Sequence, residues 1–167
     1  MISGLFYLNF SNLSLYKIIL INFVFMVFWH LAVLVICRSL PRSFFDCKRF
    51  LYKPRKWEQN GKFYVKWLKI KKWKDRLPQY VAKGGFSKRK LESFKKIDKE
   101  YIGIFVSETC RAEWNHFACS LYFIVSFLIN SWPYSLIFSL IPAIANLPFL
   151  LIQRYNRLRL MKFSEKM

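Results

Sequence analysis

Residues 107–116 place four ionisable side chains directly before the longest apolar stretch of the chain. If this segment is helical, Glu108 and Arg111 are neighbours at i, i+3, and so are Glu113 and His116. A carboxylate beside an imidazole can fix the tautomer of the ring and raise its basicity, as a general base needs in order to deprotonate an alcohol. The spacing is also compatible with simple ion pairing that makes a helix end tolerable.

A second polar cluster lies at the opposite end of the apolar stretch, in Q-R-Y-N-R-L-R-L at residues 153–160. On a helix, Asn146, Gln153 and Arg157 follow one another at i, i+7 and i+11 and form one polar stripe. The arginines of this cluster suit the phosphates of a lipid, of coenzyme A or of an acyl carrier protein. Their simpler role is a positive anchor that keeps the tail in the cytoplasm.

Histidine and cysteine side chains elsewhere give weaker signals. His30 lies inside the first apolar run, where it is either a ligand or proton carrier or, as we favour, a neutral packing residue. No metal site is predicted, because the cysteines lack metal-ligand spacing, and we expect all of them to be reduced: Cys37, Cys47, Cys110 and Cys119. Cys110 adjoins the first cluster, but no histidine at fixed spacing marks it as a nucleophile.

The elements that position these groups follow from the way charge and hydrophobicity are divided along the chain. The composition is 54% hydrophobic with a net charge of +19, and 22 of the 28 Lys and Arg residues lie within residues 38–111. Such separate blocks are typical of a membrane protein and exclude an ordinary soluble domain. Residues 18–36 form an apolar run long enough to cross a bilayer. Only one basic residue, Lys17, precedes this run, the run is long for a signal peptide, and no cleavage site follows it, so an uncleaved span is predicted.

The second apolar stretch, residues 117–152, contains no Lys, Arg, Asp or Glu. It is too long for one span, and Ser131-Trp132-Pro133 marks a turn in its middle, which predicts helices over 114–130 and 134–152. Basic segments stay on the cytoplasmic side, so the N-terminus is predicted outside, with the basic middle region and the C-terminus in the cytoplasm. The aromatic residues among 1–16 suit the outer interface. The sequence therefore predicts an all-α, multi-pass cell-membrane protein with about three transmembrane helices, in segments 1–37, 38–106 and 107–167.

The basic region between the first span and the helical hairpin is expected to meet phosphate groups of the inner leaflet. Residues 62–77 fit an amphipathic helix lying in the interface, with Trp67 and Ile70 on its apolar face and Trp73 on the lysine side. The short run is also compatible with a strand. Residues 83–89 lack the spacing of a phosphate-binding loop and are predicted to form a flexible turn, followed by an exposed helix over 88–100. No nucleic-acid-binding motif is present, so membrane lipids are the predicted partner.

Three blocks of the sequence resemble the glycosyl-4,4′-diaponeurosporenoate acyltransferase family, small membrane enzymes of staphyloxanthin-type carotenoid synthesis. They are G-K-F-Y-V-K-W-L-K-I-K-K-W-K at 61–74, E-T-C-R-A-E-W-N-H at 108–116 and I-A-N-L-P-F-L-L-I-Q-R-Y-N-R-L-R-L at 144–160. The third block is the most specific. The first span resembles the family only in being hydrophobic.

The resemblance implies transfer of a fatty acyl group from an activated donor to a sugar hydroxyl of a membrane-bound glycosylated lipid or carotenoid. On chemical grounds His116 is the predicted base and Glu113 its orienter, while Glu108 and Arg111 form a second pair for the sugar or the donor. The predicted substrate-binding residues are Asn115, Asn146, Gln153, Arg154, Asn156, Arg157, Trp67 and Trp73. Among them, the amides of Asn146 and Gln153 would stabilise the developing oxyanion, and the two arginines would hold donor phosphates.

The resemblance implies no cofactor beyond the donor itself, which is acyl-CoA or an acylated carrier protein. The H-x-x-x-x-D box of many acyltransferases is absent from the sequence, so their mechanism does not transfer to this chain.

Two other classes of function stay open at this point. A non-catalytic membrane protein would recruit a partner or anionic lipid through its basic region, and it would tolerate His116→Ala but not charge reversal within residues 62–76. A nucleic-acid binder would show salt-sensitive binding by residues 38–111 alone, although the flanking spans disfavour that class.

Overall fold

The structure is a computed structural model that describes residues 13–78 and 99–167. All regular secondary structure in these two ranges is helical, which confirms the all-α prediction for the described part of the chain. The predictions for residues 1–12, for the loop at 83–89 and for most of the helix at 88–100 lie outside the described residues. The chain forms two compact units, Met1–Leu40 with Trp114–Pro148 and Pro41–Glu113 with Phe149–Met167.

Helix α1, Leu15–Ser39, corresponds to the first predicted span. It is long and apolar enough to cross a membrane. Its large apolar side chains are exposed rather than packed into protein, with Phe28 66% and Val35 63% exposed. The core helix of a soluble domain would bury such residues, whereas a helix in contact with lipid would not.

Between residues 41 and 78, the basic region contains three 3₁₀ turns and two short helices. The helices are α2, Lys62–Lys66, and α3, Ile70–Trp73, and the turns are Arg42–Phe45, Lys56–Gly61 and Lys74–Arg76, the last of which directly follows α3. The predicted continuous helix over 62–77 is therefore wrong. Lys69 has a left-handed backbone, with φ of 47°, between α2 and α3 and turns the chain there.

Packing in the second unit explains this break. Tyr64 and Ile70 are both fully buried in one cluster with Tyr155 and Leu158. On a continuous helix, Tyr64 and Ile70 would point about 120° apart and could not both enter the same core. The burial of both side chains overrides the helical pattern of the local sequence.

Residues 99–167 contain three helices: α4, Lys99–Ser120, α5, Phe123–Ile129, and α6, Tyr134–Ser164. The predicted turn at Ser131-Trp132-Pro133 separates α5 from α6. Like α1, α6 is long and apolar enough to cross a membrane, and it continues well beyond residue 152. The predicted middle span is divided between the end of α4 and the short α5, so the three-span count stays a prediction.

Polar contacts join the helices of the first unit. The side-chain amides of Asn22 and Asn130 each donate to the other at 2.8 Å, and the hydroxyl of Tyr122 donates to the Asn22 carbonyl at 3.2 Å. Trp29 Nε1 donates to the Ala118 carbonyl at 3.1 Å. These pairs satisfy groups that would be costly to leave unbonded in apolar surroundings, and they hold α1 against the end of α4 and α5.

Candidate active site

Helices α4 and α6 bring His116 and Asn146 together within the first unit. His116 Nδ1 lies 2.8 Å from Asn146 Oδ1, and Asn146 Nδ2 donates to the Pro142 carbonyl at 2.9 Å. The second bond turns the amide oxygen toward the imidazole, so Nδ1 carries the ring hydrogen and donates it. In the neutral ring of this tautomer Nε2 carries the lone pair, which is the arrangement that accepts a proton from a hydroxyl.

Prolines set the local backbone around Asn146. Both Pro142 and Pro148 lie inside α6, where each removes one N–H from the helical ladder. The Asn146 side-chain amide donates to the carbonyl of Pro142, one turn earlier on the same helix. The same bond fixes the direction in which its oxygen points.

Asn115 offers a further polar atom in the first unit. Its Oδ1 is buried and accepts no hydrogen bond from residues 13–78 or 99–167. Buried acceptors are nearly always satisfied, so this oxygen suits a hydroxyl or N–H of a bound molecule. That observation agrees with the predicted substrate-binding role of Asn115, which stays a prediction.

Glu113 contacts two arginines, whereas the sequence analysis predicts His116 as its partner. It lies in the second unit on the buried face of α4, with Val106 and Cys110. Its carboxylate accepts from Arg154 Nη1 at 2.9 Å and from Arg157 Nη1. Both of its oxygens are therefore engaged by arginines of α6, and the bond that orients His116 comes from Asn146 instead of Glu113.

Arg154 connects Glu113 to Glu58. Its Nε donates to Glu58 Oε1 at 2.6 Å and its Nη2 to Glu58 Oε2 at 3.2 Å. Its remaining donors bond the Leu51 and Lys53 carbonyls, both at 3.0 Å. Glu58 is completely buried and also accepts from the hydroxyl of Tyr64 at 2.6 Å and from the backbone N–H of Arg55.

We call this group the buried charge network: Glu58, Tyr64, Glu113, Arg154 and Arg157. Its two carboxylates balance its two guanidinium groups, which is the condition for keeping four charges inside a protein. The sequence analysis missed Glu58 and Tyr64. The available signal was that Glu58 is the one acidic residue between Asp46 and Asp75 in a strongly basic segment, a pattern that indicates an internal ion pair.

The pKa values of the network reflect these contacts. Burial by itself would raise the pKa of the Glu58 carboxyl, but the hydrogen bonds from Arg154, Tyr64 and Arg55 outweigh burial and lower that pKa. Burial, together with the bond to Glu58, raises the pKa of the Tyr64 hydroxyl far above its ordinary value. Glu58 is thus held ionised as an acceptor and Tyr64 protonated as a donor.

The arginines predicted to hold donor phosphates are already engaged inside the protein. The five N–H groups of Arg154 match the five hydrogen bonds that it donates, which leaves none for a phosphate. Arg157 is fully buried, donates to Glu113 and lies 5.7 Å from the Tyr52 ring centre. All donors of Arg154 therefore have internal partners, whereas Arg157 Nε and Nη2 are buried without a hydrogen-bond partner among the described residues, and the predicted phosphate-binding role of Arg157 stays a prediction.

The second predicted pair of α4 is present. Arg111 Nη1 lies 3.0 Å from Glu108 Oε1, and the Arg111 guanidinium stands 4.9 Å from the centre of the Phe45 ring. Both side chains of the pair keep partial exposure to their surroundings. Their predicted role in binding the sugar or the donor stays a prediction.

The remaining predicted residues differ in what they contact. Trp73 donates through Nε1 to the Leu68 carbonyl at 2.8 Å and packs against the core cluster of the second unit. Trp67 is 70% exposed. Gln153 and Asn156 are half-buried on α6, and the described residues provide no hydrogen-bond partner for either side chain.

The cysteines are all free thiols. Cys110 is completely buried, and burial raises the pKa of its thiol to about 12. A thiol with this pKa is protonated at neutral pH, so Cys110 lacks the thiolate that nucleophilic catalysis needs.

The family model for glycosyl-4,4′-diaponeurosporenoate acyltransferase matches residues 48–166 of the chain. The chain belongs to this family. The match contains α2 to α6 and every residue of the buried charge network, together with His116 and Asn146, and it leaves out α1. The family relationship therefore rests on the parts of the chain that carry the polar clusters.

Individual relatives in the family agree with this match. A glycosyl-4,4′-diaponeurosporenoate acyltransferase of Staphylococcus haemolyticus strain JCSC1435 is 31% identical over 154 residues, which cover 89% of this chain and 87% of the relative. The enzyme of the same name from Staphylococcus aureus strain bovine RF122 / ET3-1 is 32% identical, with 72% of each chain covered. No solved structure matches the chain.

Proposed function

We propose that this chain is a membrane-bound O-acyltransferase that moves a fatty acyl group from an activated donor to a sugar hydroxyl of a glycosylated lipid. Membership of an acyltransferase family supports the reaction class. The name shared by the relatives supports a glycosylated carotenoid as the acceptor. The two long apolar helices, α1 and α6, support a location in the cell membrane, where such an acceptor is dissolved.

The observation that carries the catalytic assignment is the hydrogen bond between His116 and Asn146. With Nδ1 donating to Asn146, Nε2 takes the proton of the acceptor hydroxyl as its oxygen bonds to the acyl carbonyl carbon. The tetrahedral intermediate then collapses, the bond to the leaving group breaks, and the imidazolium returns the proton to that group. For a thioester donor, acyl-CoA or an acylated carrier protein, the products are the acylated acceptor and a free thiol.

The topology that we propose for this enzyme has three spans, with the N-terminus outside and both the basic region and the C-terminus in the cytoplasm. The distribution of Lys and Arg supports this orientation, since most of them lie in the middle region and the tail. The acyl donors proposed above are cytoplasmic molecules.

The test is lipid mass spectrometry of cells that lack the gene and carry either the wild-type chain or a variant at matched expression. We expect an acylated glycolipid in the wild type and a loss of about 100-fold or more in His116→Gln, since general bases contribute on the order of 10²–10⁴ in rate. His30→Gln is the matched control, because His30 is the other histidine of the chain and bonds its own helix at the Met26 carbonyl. An unchanged lipidome on deletion would exclude the proposed reaction, and full product from His116→Gln would exclude His116 as the base.

A further inference from the structure

A basic groove lies in the second unit, and none of the residues of the buried charge network lines it. Its volume is about 490 Å³, and it is lined by α2, by the start of α3 and by the C-terminal part of α6. The left-handed conformations of Asn60 and Gly61, with φ of 54° and 90°, turn the chain into α2 at one end of the groove. Tyr155 and Val65 form apolar parts of its wall.

The groove is defined by its charge. Five of its lining residues are basic, and all five are exposed: Lys62, Lys66, Lys71, Arg159 and Lys162. Within residues 13–78 and 99–167, none of the five has a carboxylate close enough for a salt bridge. Arg154 and Arg157 on the same helix have carboxylate partners, whereas the five groove cations have none within the described part of the second unit.

Uncompensated cations around a concavity attract a multiply charged anion. Like charges held together repel, and a ligand that brings negative charge removes the repulsion. Lysine ammonium groups and an arginine fork are the groups that proteins use for phosphates. The volume falls within the range of about 300–1,000 Å³ that is typical of small-molecule sites.

From these observations we infer that the groove binds the phosphate-bearing nucleotide head of a coenzyme A type acyl donor. This inference rests on the proposed function, which requires an activated donor. A donor of this type carries a diphosphate and a 3′-phosphate, so it can engage several of the five cations at once. The phosphate site is thereby assigned to the groove rather than to Arg154 and Arg157, whose partners are Glu58 and Glu113.

The experiment measures coenzyme A binding to the full chain in neutral detergent by equilibrium dialysis. The test variant is Lys62→Gln/Lys66→Gln/Arg159→Gln. The control, Lys56→Gln/Lys99→Gln/Lys166→Gln, removes the same charge from exposed positions that do not line the groove. We expect the groove variant to weaken binding about tenfold or more and the control to stay within about twofold, with wild-type affinity falling as salt rises. The single changes Lys66→Gln and Lys162→Gln provide the same comparison if the triple variant fails to fold.

Equal dissociation constants for the groove and control variants would overturn the assignment. The assignment would also be overturned if the wild-type chain did not bind coenzyme A. In that outcome the groove cations would instead bind phosphatidylglycerol in mixed micelles or an acyl carrier protein. The catalytic variant His116→Gln should bind coenzyme A like the wild type. If His116→Gln loses lipid acylation while the groove variant changes neither binding nor acylation, the groove assignment fails alone. If coenzyme A binding depends on the groove cations but no acylated product forms, the groove assignment stands and the proposed function is excluded.

Discussion

The imidazole of His116 is oriented by the amide of Asn146, whereas sequence spacing favoured the carboxylate of Glu113, three positions earlier on the same helix. Asn146 fixes the tautomer without adding a negative charge to an apolar stretch, where an unbalanced charge is costly. Glu113 keeps its charge because Arg154 and Arg157 balance it in the second unit. Each acceptor is therefore placed where its charge can be tolerated.

If Asn146 positions His116, removal of the Asn146 amide should affect acyl transfer only through His116. We expect Asn146→Leu to lower acyl transfer about tenfold, less than His116→Gln, because the base survives but its tautomer and orientation are no longer fixed. The double variant should be no slower than His116→Gln, since the two residues act as one unit. Initial rates with purified enzyme measure this, and losses that multiply in the double variant would contradict the pairing.

Glu58 makes the stability of the second unit depend on pH, and the direction of its pKa shift sets the direction of that dependence. Its pKa is lower in the folded chain than the ordinary value of 4.5, so the stabilisation is complete above that pH and is lost as the pH falls and the carboxyl is protonated. We expect Glu58→Gln to lower the free energy of unfolding near neutral pH by about 3–5 kcal/mol, because Arg154 loses one of its two carboxylate partners and the network no longer balances its buried charges.

The same variant should flatten the fall in stability that occurs as the pH drops below the ordinary carboxyl pKa of 4.5, measured by thermal unfolding in detergent. Glu165→Gln is the control, because Glu165 is exposed and forms no salt bridge with the described residues. A Glu58→Gln variant as stable as this control would contradict the importance of the network.

Among the elements, α2 and α3 show most clearly how packing overrules a local pattern. The alternation of lysines and apolar residues in 62–77 favours one amphipathic helix. Burying both Tyr64 and Ile70 against Tyr155 requires the chain to turn at Lys69. The turn requires a left-handed backbone at Lys69, which is strained because this residue has a side chain. Burial of Tyr64 and Ile70 offsets that cost.

The backbone at Lys69 can be tested by substitution. Lys69→Gly should leave the free energy of unfolding unchanged or raise it by up to about 1 kcal/mol, because glycine adopts a positive φ without strain. Lys69→Val should lower it by about 1–2 kcal/mol, since a β-branched residue is strained there. Lys72→Gly, in the exposed turn of α3, is the matched control and should be destabilising by about 0.5–1 kcal/mol. Equal effects of glycine at positions 69 and 72 would show that Lys69 is helical in solution.

At the scale of the whole molecule, the three-span topology is tested by the side of the membrane on which each terminus lies. Three spans place the two termini on opposite sides of the membrane, whereas crossing by α1 and α6 alone would place them on the same side. We expect reporter fusions after residue 60 and after residue 167 to be active in the cytoplasm, and a reporter before α1 to be active outside. An external C-terminus would limit the spans to α1 and α6.

The sequence by itself determined the helical class, the apolar stretches, the turn at Ser131-Trp132-Pro133 and the family, since each depends on composition or on short-range pattern. The Glu108–Arg111 pair was equally predictable because its partners lie on one helix. Only the tertiary structure decided that Asn146 orients His116 and that Glu58 and Glu113 engage Arg154. These partners are distant in sequence, and buried polar groups pair with whichever partner the packing of helices delivers, which spacing along one chain does not encode.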